Sequence, residues 1–232
     1  GRVYESRSYA VSDIFFDEKK IYGNYDLMNT AYYSNKLPQY YDGMRSGAWK
    51  VSPLLIIRNE IHQLMKEYNI SVVCAYNCNF DKNALNNTIR YISKSALRWF
   101  FPYGTEFYCI WNMACQTILS TTTYIKFALQ NDFISEKDNI LTSAEVCYRF
   151  LTKQVDFIES HTGLEDVHIE IEIMAKCFST HKKMDKKRKA QSHCRRKVCA
   201  QKTVFLCSSR MYFLIRCRFA GGNRNCRPVF KR

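Results

Sequence analysis

Two short stretches of this chain combine polar side chains in a pattern that could form a reaction centre. The first, AYNCNFD, follows an apolar run and contains Asn77 and Asp81. The second, HTGLED, places His161 five residues before Asp166 at the start of a predicted helix. Carboxylate oxygens bind hard cations, and a histidine of near-neutral pKa can accept a proton from water. Each stretch also has a purely structural explanation, because an Asp near a helix N-terminus is stabilising without any chemistry.

The segments around AYNCNFD predict an α/β domain that would position these groups. Residues 70–76 are a short, continuous, β-branched apolar run, which is typical of a strand buried on both faces. The preceding stretch predicts an amphipathic helix with Ser52 as N-cap and Pro53 at its first position. A further helix is predicted from about Asp81 onward. Functional groups commonly follow the carboxyl ends of strands in such folds.

Further elements are predicted on both sides of this unit. The opening stretch GRVYESRSYAV alternates partly and predicts a strand, and residues 106–114 predict a second buried strand that runs into a helix. Thr142 and Glu145 have the spacing of a capping box at another helix start. The last helix of the body places Asp166 on the flank of an apolar stripe. The stripe consists of Leu164, Val167, Ile171, Met174 and Phe178.

The net charge of +14 is distributed very unevenly along the 232 residues. Residues 1–180 carry a net charge of −2, whereas residues 181–232 carry +16. This shift predicts a body at 1–180 and a basic, Cys-containing tail at 181–232 that is disordered or loosely structured. No apolar run approaches the roughly 18 residues of a membrane span, and the N-terminus lacks the layout of a signal peptide. The chain is therefore expected in the cytoplasm, without a membrane partner.

The eleven cysteines include six in the body, scattered through apolar segments and without a C-x-x-C pair. This pattern favours buried, reduced thiols. In the tail, histidines and cysteines could be drawn as zinc ligands, but they lack the paired knuckles of zinc modules. The tail residues concerned are His181, His193, Cys194, Cys199, Cys207, Cys217 and Cys226.

Together, AYNCNFD and HTGLED resemble the second and third motifs of the DEDDh exonucleases, the RNase H-like 3′→5′ exonucleases that include proofreading subunits of bacterial polymerases. The family patterns are approximately N-x-x-F-D after a buried strand and H-x-A-x-x-D entering the last helix. The matching residues are Asn77, Phe80 and Asp81 for the first pattern and His161 and Asp166 for the second. Gly163 replaces the usual Ala, and 85 residues separate the two aspartates, which suits the family. The resemblance covers residues 1–180. The general character of the sequence is similar to that of phage-encoded members of the family.

This resemblance implies an RNase H-like mixed sheet flanked by helices and a site for Mg²⁺ or Mn²⁺. Such enzymes use two cations about 3.5–4 Å apart to stabilise the attacking and leaving oxygens of a phosphodiester. It implies that Asp81 and Asp166 are metal ligands, that His161 is the general base, and that Asn77 and Phe80 contact the substrate. The implied substrate is single-stranded DNA, or RNA, with a DNA polymerase as a candidate partner. A phage-encoded member would act in the host cytoplasm.

The first motif of the family, Asp-x-Glu on the first strand, has no counterpart in this chain. No aspartate is followed two residues later by glutamate, and Asp17 and Glu18 are adjacent. On a strand, adjacent side chains face opposite sides, so this pair cannot replace the motif. The opening strand resembles the third strand of the family, so we expect a chain that lacks the first two strands, with an open sheet edge. Loss of two carboxylates predicts an impaired or inactive enzyme. A second difference from the family is Cys109, at a position where its members often carry Asp. We expect this difference to matter less than the missing motif.

Two alternatives remain open from the sequence. The first is a nucleic-acid-binding protein without catalysis, in which residues 182–232 bind phosphates through their positive charge. The second concerns the aromatic cluster RWFFPYGTEFYCIW, whose rings could stack on unpaired bases but are more often part of a core. We favour the core for this cluster, with one or two exposed rings.

Overall fold

The computed structural model describes residues 3–15, 37–160, 163–187, 202–207 and 212–216. Its strands are β1 (Val3–Val11), β2 (Lys50–Ser52), β3 (Ile70–Ala75), β4 (Glu106–Cys109), β5 (Lys202–Cys207) and β6 (Tyr212–Arg216). Its helices are α1 (Ser12–Phe15), α2 (Leu37–Arg45), α3 (Leu54–Glu67), α4 (Cys78–Ile92), α5 (Ile110–Thr117), α6 (Thr122–Gln130), α7 (Ala144–Thr152) and α8 (Gly163–Ser179). The predicted α/β class is thereby confirmed.

The described strands form one mixed sheet in the order β2-β1-β6-β5-β3-β4. Strand β3 runs parallel to both of its neighbours, β4 and β5, whereas β6 is antiparallel to β1 and β5. Val73 of β3, for example, pairs with Phe107 on one side and Val204 on the other. Because β3 has a parallel neighbour on each side, its carboxyl end opens beside the carboxyl ends of β4 and β5.

Helices cover both faces of this sheet, and the described residues form two apolar cores, one on each face. Val73 and Ala75 face a core shared with α3 and α4, which includes Ile57, Ile61 and Ile89. The alternating residues Val72 and Cys74 face the other core, which includes side chains of α5, α6, α7 and α8. Such alternation, with apolar residues on both faces, is what a fully buried strand requires. The sequence prediction of a doubly buried strand at residues 70–76 is confirmed.

Most predicted elements are confirmed, but two predicted helix caps are wrong. Ser52 lies in β2, and α3 begins after Pro53, where the carboxylate of Asp13 accepts the Leu54 N–H at 2.7 Å. A residue brought in by α1 therefore caps α3, which local sequence could not reveal. At α7 the cap is Ser143, whose hydroxyl accepts the Val146 N–H at 3.3 Å.

Two segments of the region predicted as a tail are strands of this sheet. Strand β5 pairs with β3, and β6 pairs with β1, so this hairpin lies between the two halves of the body sheet. The apolar residues of TVFLC and YFLIR suit such central strands. Residues 188–201 and 217–232 lie outside the described residues, and the domain boundary near residue 180 stays a prediction.

The chain continues past α8 along the edge of β4. The Cys109 N–H donates to the carbonyl of Lys186 at 2.9 Å, and the amide of Asn112 donates to the carbonyl of Asp185 at 2.9 Å. Residues 181–187 are thus held against the body rather than extending from it. Over the described part of the chain, we find no helix with the length and apolarity needed to cross a membrane.

The thiols and the aromatic cluster are as expected. The six cysteines of the body are free, and all of them but Cys115 are buried. In the aromatic cluster, Phe100 and Phe101 are buried, whereas Trp99 and Tyr103 are exposed. Both the core assignment and the exposed rings are therefore confirmed.

Candidate functional site

Asp81 lies in the first turn of α4, directly after the carboxyl end of β3, and is 6% exposed. The chain turns from strand to helix at Asn77, whose backbone is left-handed (φ 63°, ψ 47°) and whose side chain makes no capping bond to α4. Asn tolerates this conformation better than most residues. The Phe80 N–H donates to the Asn77 carbonyl at 2.8 Å, and the Phe80 ring is 63% exposed. The turn thus combines a buried carboxylate with an exposed ring.

Asp166 occupies the first turn of α8 and is 8% exposed. The sequence prediction that it lies on the flank of an apolar stripe underestimated its burial. Helix α8 packs against α5 and α7 and also against β5 and β6, so more than one of its faces is covered. Ile169 and Ile173, which are outside the predicted stripe, are also buried.

Glu170, which the sequence analysis did not single out, lies one helical turn after Asp166 and is only 6% exposed. Burial and the negative charge of Asp81 raise its pKa well above the usual value. Asp166 and Glu159 act in the same direction, whereas a backbone hydrogen bond from Tyr76 lowers the pKa. Asp81 and Asp166, 85 residues apart in sequence, therefore both lie near a third carboxyl group. The spacing of Asp166 and Glu170 on one helix face was the available signal.

Glu159, also missed from the sequence, lies in the loop before α8. Burial, a hydrogen bond with Asp166 and the charge of that carboxylate raise the pKa of Glu159 to about 8. Arg149 of α7 holds this loop, because its Nε donates to the Phe157 carbonyl at 2.6 Å. The Tyr148 and Phe157 rings add a contact at 4.8 Å between centroids. These contacts hold the loop in the position in which Glu159, the fourth carboxyl group of the cluster, lies beside Asp166.

His161, the predicted base, and its neighbour Thr162 lie outside the described residues. Ser160, the described residue just before them, is held closely. The backbone N–H of Ser160 donates to the Glu165 carboxylate at 2.6 Å, and the Ser160 hydroxyl donates to the same oxygen. Ser160 is thereby tied to α8, whose first residue is Gly163. The role of His161 stays a prediction.

Two buried thiols lie near Asp81. Cys78, at the start of α4, and Cys109, at the end of β4, are both buried and hydrogen-bonded to each other. That hydrogen bond, burial and the charges of Cys109 and Asp81 raise the pKa of Cys78. Cys109, at the position where the exonuclease resemblance leads one to expect Asp, thus contributes no carboxylate here.

The donors of this cluster match the chemistry of a hard cation. The carboxyl groups of Asp81, Glu159, Asp166 and Glu170 offer only oxygen ligands, and the Oε2 atom of Glu170 has no hydrogen-bond partner among the described residues. Within those residues, however, no three acidic, histidine or cysteine side chains lie close enough to hold a metal ion between them. Mg²⁺ needs few protein ligands, because it keeps several waters and often takes one or two carboxylates together with substrate phosphates. Among the described residues, a cation at this cluster would therefore be held by at most two of these carboxylates together with water.

Comparison with known proteins identified no relative of this chain. No protein-family model, curated protein or solved structure matches the chain. The chemistry of this cluster is therefore argued from its own side chains and their surroundings.

Proposed function

We propose that this protein is a metal-dependent 3′→5′ exonuclease of RNase H-like fold that acts on single-stranded DNA or RNA. The supporting observation is that Asp81 and Asp166, which match two exonuclease motifs, both lie close enough to the buried Glu170 to raise its pKa. Two buried aspartates from distant parts of a chain seldom meet beside a third acid without a function, since burial of like charges is costly. Their position after the carboxyl end of a central strand is typical of sites in α/β folds.

In this proposal each motif residue has a separate role. Asp81 and Asp166 hold the cation, and the cation when bound supplies positive charge to the oxygens of the scissile phosphate. His161 accepts a proton from the attacking water, a task suited to a group of near-neutral pKa. The exposed ring of Phe80, beside Asp81, stacks on the terminal base of a single strand. Asn77 orients that strand end.

Substitution of the two aspartates tests the proposal. The Asp81→Asn and Asp166→Asn variants keep the shape of each side chain but lose its charge. We expect Mg²⁺- or Mn²⁺-dependent release of nucleotides from a 3′-labelled single strand to fall to background in both. The variant Asp132→Asn is a matched control, since Asp132 is an exposed residue in the turn after α6. Parent-like cleavage by the Asp81→Asn variant refutes the assignment.

The histidine is tested separately, because it has a different role. The His161→Ala variant should cleave about 10²–10⁴-fold more slowly than the parent, as expected for loss of a general base. Its retention of a single strand in Ca²⁺, measured by fluorescence anisotropy, should equal that of the parent. A variant that cuts as fast as the parent contradicts the role of His161.

Nucleic-acid binding without catalysis is the second candidate, and the charge of the C-terminal region favours it. Lys182 and Lys183 are exposed beside a body that has a net negative charge. In this case the parent cleaves nothing in Mg²⁺ or Mn²⁺, and a double Lys182→Gln, Lys183→Gln variant loses affinity for single strands, more so at low salt. Removal of residues 188–232 is a poor test, because it also removes two strands of the sheet.

We also propose the cytoplasm as the location and a DNA polymerase as a partner. Free, buried cysteines suit a reducing compartment. The polymerase is proposed from the exonuclease resemblance alone, and co-purification of the tagged full chain with a polymerase is the measurement that tests it.

A further inference from the structure

One stretch of the body carries only positive charge, although the body as a whole is slightly negative. Residues 82–105 contain four lysines and arginines and no aspartate or glutamate, whereas residues 1–180 have a net charge of −2. Arg90, Lys94 and Arg98 of this stretch are exposed. They lie at the end of α4 and in the loop that follows it. This part of the surface is therefore suited to a negatively charged partner.

Two aromatic rings of the same loop are exposed to solvent. Trp99 is 60% exposed and Tyr103 is fully exposed, although Phe100 and Phe101 between them are buried. Exposed rings beside exposed cations are the combination by which proteins bind single-stranded nucleic acid, since rings stack on bases and cations attract phosphates. The loop presents both kinds of group.

The backbone that carries Trp99 is held by both neighbouring helices. Arg58 of α3 donates through its Nε to the Trp99 carbonyl at 3.1 Å. The Phe100 N–H donates to the side chain of Asn86 in α4 at 2.9 Å, and the Phe100 carbonyl lies 2.6 Å from Nε2 of His62 in α3. The position of the ring is thus fixed at its backbone in the free protein, which lowers the cost of ordering it on binding.

The positive charges lie on the same part of the molecule as the rings. Arg90 donates through its Nε to the Asn86 carbonyl at 3.1 Å, and the side chain of Asn86 holds the Phe100 N–H. Arg90 therefore lies near the backbone that carries Trp99, and Arg98 directly precedes that residue. A strand whose bases reach the Trp99 ring would have cations beside its phosphates.

We propose that the loop after α4 binds single-stranded nucleic acid through a surface made of Lys94, Arg98, Trp99 and Tyr103. The two rings stack on unpaired bases, and the two cations contact phosphates. This loop surface goes beyond the proposed exonuclease function, because it contains none of the residues assigned to cleavage and needs no metal ion. It is also separate from the basic C-terminal region.

Fluorescence anisotropy of a short, labelled oligothymidylate with the full chain tests the proposal. EDTA is present throughout, so that cleavage and metal binding play no part. We expect Trp99→Ala to weaken binding about 5–100-fold, as loss of stacking on a base does. Tyr41→Ala, which removes an exposed ring beside Asp42 on α2, is the control and should bind like the parent. Parent-like affinity in Trp99→Ala, or no binding by the parent, overturns the proposal.

Two further variants separate stacking from folding and from simple apolar contact. Trp99→Phe keeps a ring and should bind nearly as tightly as the parent, whereas Trp99→Leu keeps apolar bulk and should bind as weakly as Trp99→Ala. Both should give the circular dichroism spectrum of the parent, because the side chain is mostly exposed. Equal affinities of the phenylalanine and leucine variants overturn the stacking role.

The dependence of affinity on salt tests the two cations. For single strands, the logarithm of affinity falls with the logarithm of salt concentration by about 0.7 for each phosphate contact. The double variant Lys94→Gln, Arg98→Gln should therefore have a slope shallower by about 1.4. Lys126→Gln, which removes an exposed cation from α6, should leave the slope unchanged. A parent-like slope in the double variant overturns the role of these cations.

Failure of the loop surface and failure of the exonuclease have different signatures. If Trp99→Ala weakens binding but the parent cleaves nothing in Mg²⁺ or Mn²⁺, the loop surface stands and the exonuclease function is wrong. If the parent cleaves in Mn²⁺ and Trp99→Ala binds as tightly as the parent, the function stands and the loop surface is wrong. The oligothymidylate paired with its complement should compete weakly, because its bases are already stacked, and equal competition overturns the proposal.

Discussion

Glu159 and Asp166 form a hydrogen bond although both are acidic. Two carboxyl groups can share a hydrogen bond only when one of them carries the proton. The pKa of Glu159, raised to about 8 by burial and by Asp166, identifies Glu159 as the protonated partner near neutral pH. A carboxylic acid that ionises only in mildly alkaline solution gives the protein a pH-dependent stability.

The sign of this dependence follows from the two pKa values. In the unfolded chain Glu159 has its ordinary pKa of 4.5, so between pH 4.5 and about 8 the folded state binds more protons. The stabilising contribution is full below pH 4.5 and is lost as the pH rises through about 8. Glu159→Gln, which keeps a hydrogen-bond donor for Asp166, should equal the parent in free energy of unfolding near pH 4 and exceed it at pH 8.5.

Urea unfolding at both pH values measures this difference. Glu172→Gln, which removes an exposed carboxylate from α8, is the control and should follow the parent at both. A Glu159→Gln variant that tracks the parent across the whole range contradicts the shared proton.

At the residue scale, sequence could identify only the part of the site that has a motif. Asp81 and Asp166 were predicted because each lies in a recognisable pattern after a strand or at a helix start. Glu159 has no such pattern, and the only signal for Glu170 was its four-residue spacing from Asp166. Both become site residues because the fold brings them within electrostatic reach of Asp166, and a single sequence contains no record of that proximity.

At the element scale, periodicity was sufficient for the buried strands and the long helices, but not for their caps. Continuous apolar runs predicted β3 within one residue and the start of β4. The cap of α3 came instead from Asp13, 41 residues away along the chain. A side chain from another element can cap a helix in place of a local Ser, and the sequence around the helix start does not reveal this.

The β3–α4 junction depends on the backbone conformation of Asn77. Its left-handed conformation costs most non-glycine residues about 1–2 kcal/mol. Asn77→Ala should therefore lower the free energy of unfolding by about 1 kcal/mol, whereas Asn77→Gly should leave it nearly unchanged.

Comparison of Asn77→Ala with Asn77→Gly separates the role of Asn77 in the backbone conformation from a role of its side chain in substrate contact. If the Asn77 side chain orients a strand end, Asn77→Gly loses affinity for single strands while it keeps its stability. Parent-like affinity in Asn77→Gly, measured by fluorescence anisotropy in Ca²⁺, limits Asn77 to a structural role.

At the scale of the whole molecule, sequence predicted the α/β class but not how the sheet is completed. An open edge was expected, because the chain appeared to lack two strands, and this stays a prediction. The described sheet contains β5 and β6 between β1 and β3, which the sequence analysis did not predict. The basic residues around this hairpin dominated the composition and concealed its apolar strands, and pairing between strands so far apart in sequence leaves no local pattern.

Val204 offers a test of the hairpin as part of the core sheet. It pairs with Val73 on one side and Ile215 on the other, so proline here removes a backbone N–H from a central ladder. Val204→Pro should lower the free energy of unfolding by about 1–3 kcal/mol or more, whereas Val204→Ala, which keeps the N–H, should cost less. Thermal unfolding measures both, and equal melting temperatures for Val204→Pro and Val204→Ala contradict the central position of β5.

The pairing of Val3 with Arg216 has a consequence for biosynthesis. At about 5–20 residues per second, a ribosome takes on the order of 10–40 s to make the chain between the two partners. Throughout that interval the first strand emerges without its hairpin neighbour and presents unsatisfied amides to other nascent chains. Slower translation lengthens this exposure, so the yield of soluble protein in a cell should depend on elongation speed and on the supply of chaperones.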